Sequence, residues 1–190
     1  MSDATETKTR RVGIIGAGAW GTAIAKSIAD KGHIVRMWAF EQDVADAISH
    51  QHENTIYLPG VTLPESVTAT TDIVKAAGGQ EFIVIATPSL HALQSVRQIL
   101  HVPDIQEGRS HIGVVTKGFI DSSQGPRLIV ETLENYLPGF YKNTLVYISG
   151  PSHAEEVATG KITGLISASQ SPKNAIRFRE LLGSRSLLVF

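Results

Sequence analysis

Three glycines carry the strongest chemical signal in this sequence. Gly16-Ala17-Gly18-Ala19-Trp20-Gly21 has the spacing G-x-G-x-x-G, directly after the short apolar run Val12-Gly13-Ile14-Ile15 and at the opening of an amphipathic stretch. In that context Gly16 permits a tight turn, Gly18 lets a pyrophosphate approach the backbone, and Gly21 lets helix and strand pack closely. The helix opening then turns backbone amides and positive partial charge toward the phosphates. A dinucleotide is the expected ligand, with NAD favoured and FAD able to use the same turn.

About 20 residues beyond such a turn, a site that takes NAD places an acid on the adenosine ribose hydroxyls. Glu41 stands there, and no arginine lies among Ala39, Phe40, Glu41, Gln42 and Asp43 to welcome a 2′-phosphate. NAD is therefore expected over NADP, although NADP is not excluded. The competing account of Glu41 is an acid placed at a helix start by the helix dipole. Phe40 either covers the adenine face or belongs to the core.

Two further strand ends carry polar groups. Thr116-Lys117-Gly118 follows the apolar run Ile112 to Val115, which would stand the Lys117 ammonium in the crevice where such sheets bind ligands; a solvated cation is the alternative. In Ser149-Gly150-Pro151-Ser152-His153-Ala154-Glu155 the spacing of Ser152 and Glu155 is that of a capping box, which explains the residues without a ligand. His50, His52, His91, His101 and His111 show no metal-ligand spacing with supporting acids, so they are read as structural or solvated and no metal is expected. No nucleophile elbow is present.

The elements that must position these groups alternate along the chain. Strands are expected at Val12 to Ile15, Val35 to Trp38, Val67 to Thr70, Phe82 to Ala86, Ile112 to Val115, Leu145 to Ile148, Leu165 to Ala168 and Leu187 to Phe190. Helical stretches are expected at Ala19 to Lys31, Asp43 to His50, from Asp72 to Gly78-Gly79, Leu90 to Leu100, Arg127 to Tyr136, His153 to Thr159 and Lys173 to Leu182. Gln51 to Glu65, with Pro59, Gly60 and Pro64, reads as a long irregular loop of a length that suggests function. The alternation implies an α/β fold: a doubly wound, mostly parallel Rossmann sheet with helices on both faces. One such domain is expected over residues 11–190, after a disordered polar tail at 1–10.

Composition agrees with that class and narrows the partners. The 190 residues are 42% hydrophobic, carry a formal charge of −1 and contain no cysteine, which excludes disulfides and thiolate metal sites. With charges interspersed there is no basic stripe for a nucleic acid, and no run approaches the roughly 20 apolar residues of a membrane span. A soluble cytoplasmic protein is the expectation.

Taken together, Gly16 to Thr22, Trp38, Gln51-His-Glu-Asn-Thr-Ile-Tyr-Leu-Pro-Gly60, Ala86-Thr-Pro88, Thr116-Lys-Gly118 and Ser149-Gly-Pro-Ser152 resemble NAD(P)-dependent glycerol-3-phosphate dehydrogenase over residues 11 to 190. The resemblance implies hydride transfer between glycerol 3-phosphate and dihydroxyacetone phosphate, a phosphorylated small-molecule substrate. It implies that Ala19, Trp20, Phe40 and Ala154 touch the cofactor beside the Gly16, Gly18 and Gly21 turn, that Lys117 stands where cofactor and substrate meet, and that Gly150 and Ser152 meet substrate. The Phe40-Glu41 pair looks like that of NAD-preferring members. The family's C-terminal helical domain, with its proton-accepting lysine and phosphate-gripping residues, is absent from these residues. The chain is accordingly expected to bind NAD and to turn over poorly alone, and an apolar face left open there predicts self-association, a homodimer among the outcomes. Two other readings stay open: a related two-domain dehydrogenase of the ketopantoate or 6-phosphogluconate type, and a non-catalytic NAD-binding module.

Overall fold

The structure, a computed structural model, describes residues 8–120 and 125–190. Most of the expected tail, residues 1–7, lies outside them, whereas Arg10 is tied into the fold: its carbonyl accepts from the Ile34 amide at 2.9 Å and its guanidinium pairs with Glu81 at 2.5 Å.

In chain order the first unit is β1 (Arg11–Ile15), α1 (Ala19–Ala29), β2 (Ile34–Trp38) and α2 (Gln42–Asp46), extended by a π-helical turn at Ala47–Gln51. Next come β3 (Glu53–Asn54), β4 (Leu58–Thr62), β5 (Val67–Thr70), α3 (Ile73–Ala77), β6 (Phe82–Ile85), α4 (Ser89–Ile99), α5 (Pro103–Gln106) and β7 (His111–Val114). The remainder is β8 (Phe119–Ile120), β9 (Arg127–Leu128), α6 (Ile129–Glu134), a 3-10 turn at Gly139–Tyr141, β10 (Val146–Ser149), α7 (Ala154–Ala158), β11 (Thr163–Ala168), α8 (Pro172–Leu182) and β12 (Leu187–Val189).

Eight strands form one sheet in the order β12-β11-β10-β7-β6-β1-β2-β5. Each neighbouring pair is parallel except β10 with β11. The order runs one way from β1 through β2 to β5 and the other way from β6 onward, so the topological switch lies between β1 and β6. Strand residues alternate between two cores. Val12, Ile14 and Val84 pack with Ile24, Ala158 and Phe178, whereas Ile15, Ile83 and Ile85 pack with Ile73, Val96 and Leu133. Helices therefore cover both faces, and the central strands read as continuous apolar runs because both their sides are buried.

Three expectations are corrected. Residues 51–65 are not an irregular loop, since β3 and β4 pair there as an antiparallel hairpin. Pro59 and Gly60, with φ +77° at Gly60, break the alternation inside β4 and hide the strand from a periodicity reading. The helix expected from Arg127 starts at Ile129, because Arg127 and Leu128 pair with Ile120 and Phe119. Ser152 and Glu155 form no capping box: His153 occupies the cap of α7 with no side-chain cap bond. The short α5 is an addition to the expected elements; Pro103 opens it after the turn that closes α4.

Candidate functional site

The glycine turn sits at the switch point. Gly16 has φ +121°, and a Cβ there would lie 2.8 Å from both the Ala86 carbonyl carbon and the Thr87 amide nitrogen. Close approach of β1 to the end of β6 therefore requires glycine. A methyl on Gly21 would run into the Gly16 carbonyl oxygen, so the third glycine is fixed by helix-to-turn packing. Gly18 differs: nothing lies within 4 Å of a Cβ built on it. It caps α1 from the extended region, φ −69°, and the first-turn amides beyond it have no partner within the helix.

A cleft of about 1020 Å³ opens over this turn. Gly16, Gly18, Ala19, Trp20, Gly21, Phe40, Glu41, Lys117, Ser152 and Ala154 all line it, so the structure brings these sequence-expected residues together. Gly150 lies just behind. A methyl there would meet the Gly164 carbonyl oxygen at 2.5 Å, and its own carbonyl accepts from Lys117 Nζ at 3.2 Å. Phe40 is not core: it is 80% exposed and meets Trp38 edge-on at 6.4 Å between centroids.

The two charges of interest stand apart. Glu41 follows β2 and Lys117 follows β7, three strand spacings away, or roughly 14 Å at about 4.8 Å each. Lys117 Nζ also donates to the carbonyl and hydroxyl oxygens of Ser152, each at 3.4 Å, and lies 5.6 Å from the centre of the Trp20 ring. Glu41 stands at the N-cap of α2, where the helix dipole favours an acid, but its side chain bonds no helix amide; Oε1 instead accepts the Tyr57 hydroxyl at 2.8 Å. That bond, with the Glu41 charge, pushes the Tyr57 phenol above its ordinary pKa.

Several lining residues escape a sequence reading. Asn54 is fully buried; its Nδ2 donates to the Ala17 carbonyl and to Thr22 Oγ1, both at 2.8 Å, and its Oδ1 accepts the Tyr57 amide at 3.0 Å. One amide thus braces the glycine turn against the β3–β4 hairpin. His91, expected to be structural or solvated, lines the cleft with Gln94, Ser95 and Gln98, one face of α4 at helical spacing. The polar stripe opposite Ala92, Val96 and Ile99 is the available signal.

The site suits a dinucleotide on its own terms. Trp20 Nε1 and Thr87 Oγ1 are buried without a hydrogen-bond partner, and both residues line the cleft. Such orphaned groups are costly unless something binds them. The open space at Gly18, the α1 amides and these donors fit a diphosphate with its flanking sugars. Among the described lining residues there is no arginine.

A doubly wound sheet with a glycine turn at its switch point and an acid after β2 defines a dinucleotide-binding Rossmann domain. Residues 11–175 match the sequence family described as NAD-dependent glycerol-3-phosphate dehydrogenase N-terminus, and the chain belongs to that family. It is 47% identical over 186 residues to a glycerol-3-phosphate dehydrogenase (NAD(P)+) of Treponema denticola, covering 95% of this chain and 52% of that relative. The corresponding protein of Treponema pallidum, strain Nichols, is 45% identical over 188 residues, covering 94% and 53%. The crystal structure of glycerol-3-phosphate dehydrogenase from Coxiella burnetii superposes with a TM-score of 0.83 at 29% identity, covering 96% of this chain and 53% of that one. The chain thus spans about half the length of the relatives it matches, and their other half has no counterpart in these residues. Among the described residues no helix is long and apolar enough to cross a membrane.

Proposed function

We propose that this chain is the cofactor-holding part of an oxidoreductase that interconverts glycerol 3-phosphate and dihydroxyacetone phosphate with NAD. The observation that carries the reading is the switch-point cleft with its orphaned donors, open glycine and family match. The α1 amides and Gly18 would hold the diphosphate, Phe40 and Glu41 the adenosine end, and Trp20, Lys117 and Ala154 the nicotinamide end. When bound, the nicotinamide supplies the hydride acceptor. The Lys117 ammonium, which donates to the Gly150 carbonyl and to the carbonyl and hydroxyl of Ser152, then faces the substrate oxygen.

NAD is favoured over NADP because the Glu41 carboxylate accepts hydrogen bonds from ribose hydroxyls and repels a 2′-phosphate, with no arginine among the described cleft residues to offset it. Oxidising the alcohol also needs a base within reach of the hydroxyl, a contribution of typically 10²–10⁴-fold. By resemblance that base lies in the half of the relatives that these residues do not match, so the 190 residues bind cofactor and turn over little. Cytoplasmic localisation and a phosphorylated small molecule as partner belong to the same reading; the near-zero net charge supports it against a nucleic-acid partner.

Fluorescence titration of the purified chain with NADH and NADPH, alongside a turnover assay, tests the proposal. NADH is expected to bind more tightly and turnover to be close to background. No binding of either nucleotide at saturation overturns the site; a rate comparable to that of a full-length relative overturns the division of labour.

A further inference from the structure

The contact between Tyr57 and Glu41 joins two separate elements across the mouth of the cleft. Tyr57 sits in the connection between β3 and β4 and is 41% exposed, so packing alone does not hold it against the carboxylate. What does is the backbone beneath it. The Tyr57 amide is fixed by Asn54 Oδ1, and the same buried Asn54 grips the glycine turn through Ala17 and Thr22. The hairpin is further closed by the Gly60 amide on Glu53 Oε1 at 2.8 Å and the Leu63 amide on the His52 carbonyl at 2.8 Å. The hydroxyl that reaches Glu41 is therefore anchored to the element that would carry the diphosphate.

We propose that Tyr57 is a positioning residue for cofactor selectivity: by engaging one oxygen of Glu41 it fixes the carboxylate so that the other oxygen meets the adenosine ribose, which selects a free 2′-hydroxyl over a 2′-phosphate. This rests on the reading that Glu41 faces that ribose. A carboxylate offers about four lone-pair sites, of which the phenol occupies one, leaving enough for two ribose hydroxyls. Glutamate is among the side chains with most rotamer freedom to lose, so a carboxylate already held in place spares binding that loss. Fixing the charge also denies it the freedom to swing away from a 2′-phosphate. Glu41 holds the phenol protonated, so it stays a donor through the neutral range.

The test uses Y57F, E41Q and the double variant of the whole chain, with dissociation constants for NADH and NADPH measured by fluorescence titration. Y57F removes one hydroxyl from a half-exposed ring, and an unchanged thermal midpoint checks that folding is intact. Y57F is expected to weaken NADH by about three- to tenfold, the size of one hydrogen bond, and NADPH by no more than about twofold. In the E41Q background the same change is expected to cost NADH less than about twofold, since the hydroxyl acts through the carboxylate. Equal weakening of both nucleotides by Y57F, or no change in either while E41Q still narrows the NADH preference, overturns the role of Tyr57 and leaves the Glu41 reading standing. An NADH preference untouched by E41Q overturns both.

Discussion

Replacing Asn54 by alanine removes three hydrogen bonds from a side chain with no solvent exposure. At a net contribution of about 1 kcal/mol each, and a spread of half that on each bond, the loss comes to about 3 kcal/mol. For a domain of this length a loss of that size lowers the thermal midpoint by roughly 6–12 °C. Asn54→Asp separates bonding from volume. The shape is kept, and an oxygen still accepts the Tyr57 amide, but neither donation to Ala17 or Thr22 survives and a charge is buried among carbonyl and hydroxyl oxygens. N54D is therefore expected to be less stable than N54A. Urea unfolding followed by circular dichroism gives the stabilities by linear extrapolation, and an NADH titration below the midpoint gives the affinity. Because the bonds of Asn54 end on the glycine turn, N54A is also expected to weaken NADH by about tenfold, or 1.4 kcal/mol. A stability loss below about 1 kcal/mol, or N54D more stable than N54A, refutes the brace; full-strength NADH binding by a destabilised N54A refutes its connection to the site.

The glycine turn allows a contrast of the same kind: G18A, with open space around its new methyl, is expected to keep the parent's thermal midpoint and lose NADH binding, whereas G21A, whose methyl meets the Gly16 carbonyl, is expected to lose stability by about 1–3 kcal/mol. Parent-like NADH affinity in G18A would contradict the diphosphate placement. Burial, helped by the nearby Lys31 and Arg10 charges, lowers the pKa of His33, and burial with Arg177 lowers that of His111, in each case against an opposing pull from Glu81. The folded state then binds fewer protons than the unfolded one, so stability is full above the unfolded value of about 6.5 and falls as pH drops through it; denaturant midpoints between pH 7.5 and 5.5 should decline, and less steeply in H33N, with a flat profile as the contrary result. Ile166, Leu188 and Phe190 project from one face of β11 and β12 at 59%, 42% and 73% exposure, and sedimentation velocity should show association that rises with concentration and is abolished by I166K with L188K; a strictly monomeric parent would count against it.

Legibility of this sequence follows burial. The central strands β1, β6 and β7 announce themselves because both faces are covered and Val12 to Ile15, Phe82 to Ile85 and Ile112 to Val115 are nearly all apolar. The glycine turn is legible because three separate steric demands fall on one hexapeptide. The β3–β4 hairpin is not, since a two-stranded ribbon holding Pro59 and a left-handed Gly60 presents neither period. Its role is hidden for a further reason: Asn54 and Tyr57 act on groups 32 to 37 and 16 residues away, and no spacing rule reports such contacts. Ser152 shows the opposite error, a local capping pattern whose hydroxyl is turned instead toward the Lys117 ammonium and the Gly150 carbonyl. His91 is missed when histidines are weighed only as metal ligands, although its position on α4 already sets it on the polar side of an amphipathic helix.

The two ends of the cleft are finished to different degrees, and the difference follows from electrostatics. At the Glu41 end the charge is braced by Tyr57, which is braced by Asn54, which is braced on the turn, so the acceptor geometry exists before any ligand arrives. At the Lys117 end the ammonium is held at 3.2–3.4 Å by a carbonyl, a second carbonyl and a hydroxyl, and among the described residues no carboxylate pairs with it. Neutral oxygens at those distances orient a cation without cancelling its charge, and on the proposed function a substrate oxygen would displace one of them at little cost. On that function, the chain is thus preorganised at the end that would recognise the cofactor's adenosine. The Lys117 end is then the one left adjustable, and the proposal assigns the remaining walls of the substrate pocket to the half of the relatives that these residues do not match.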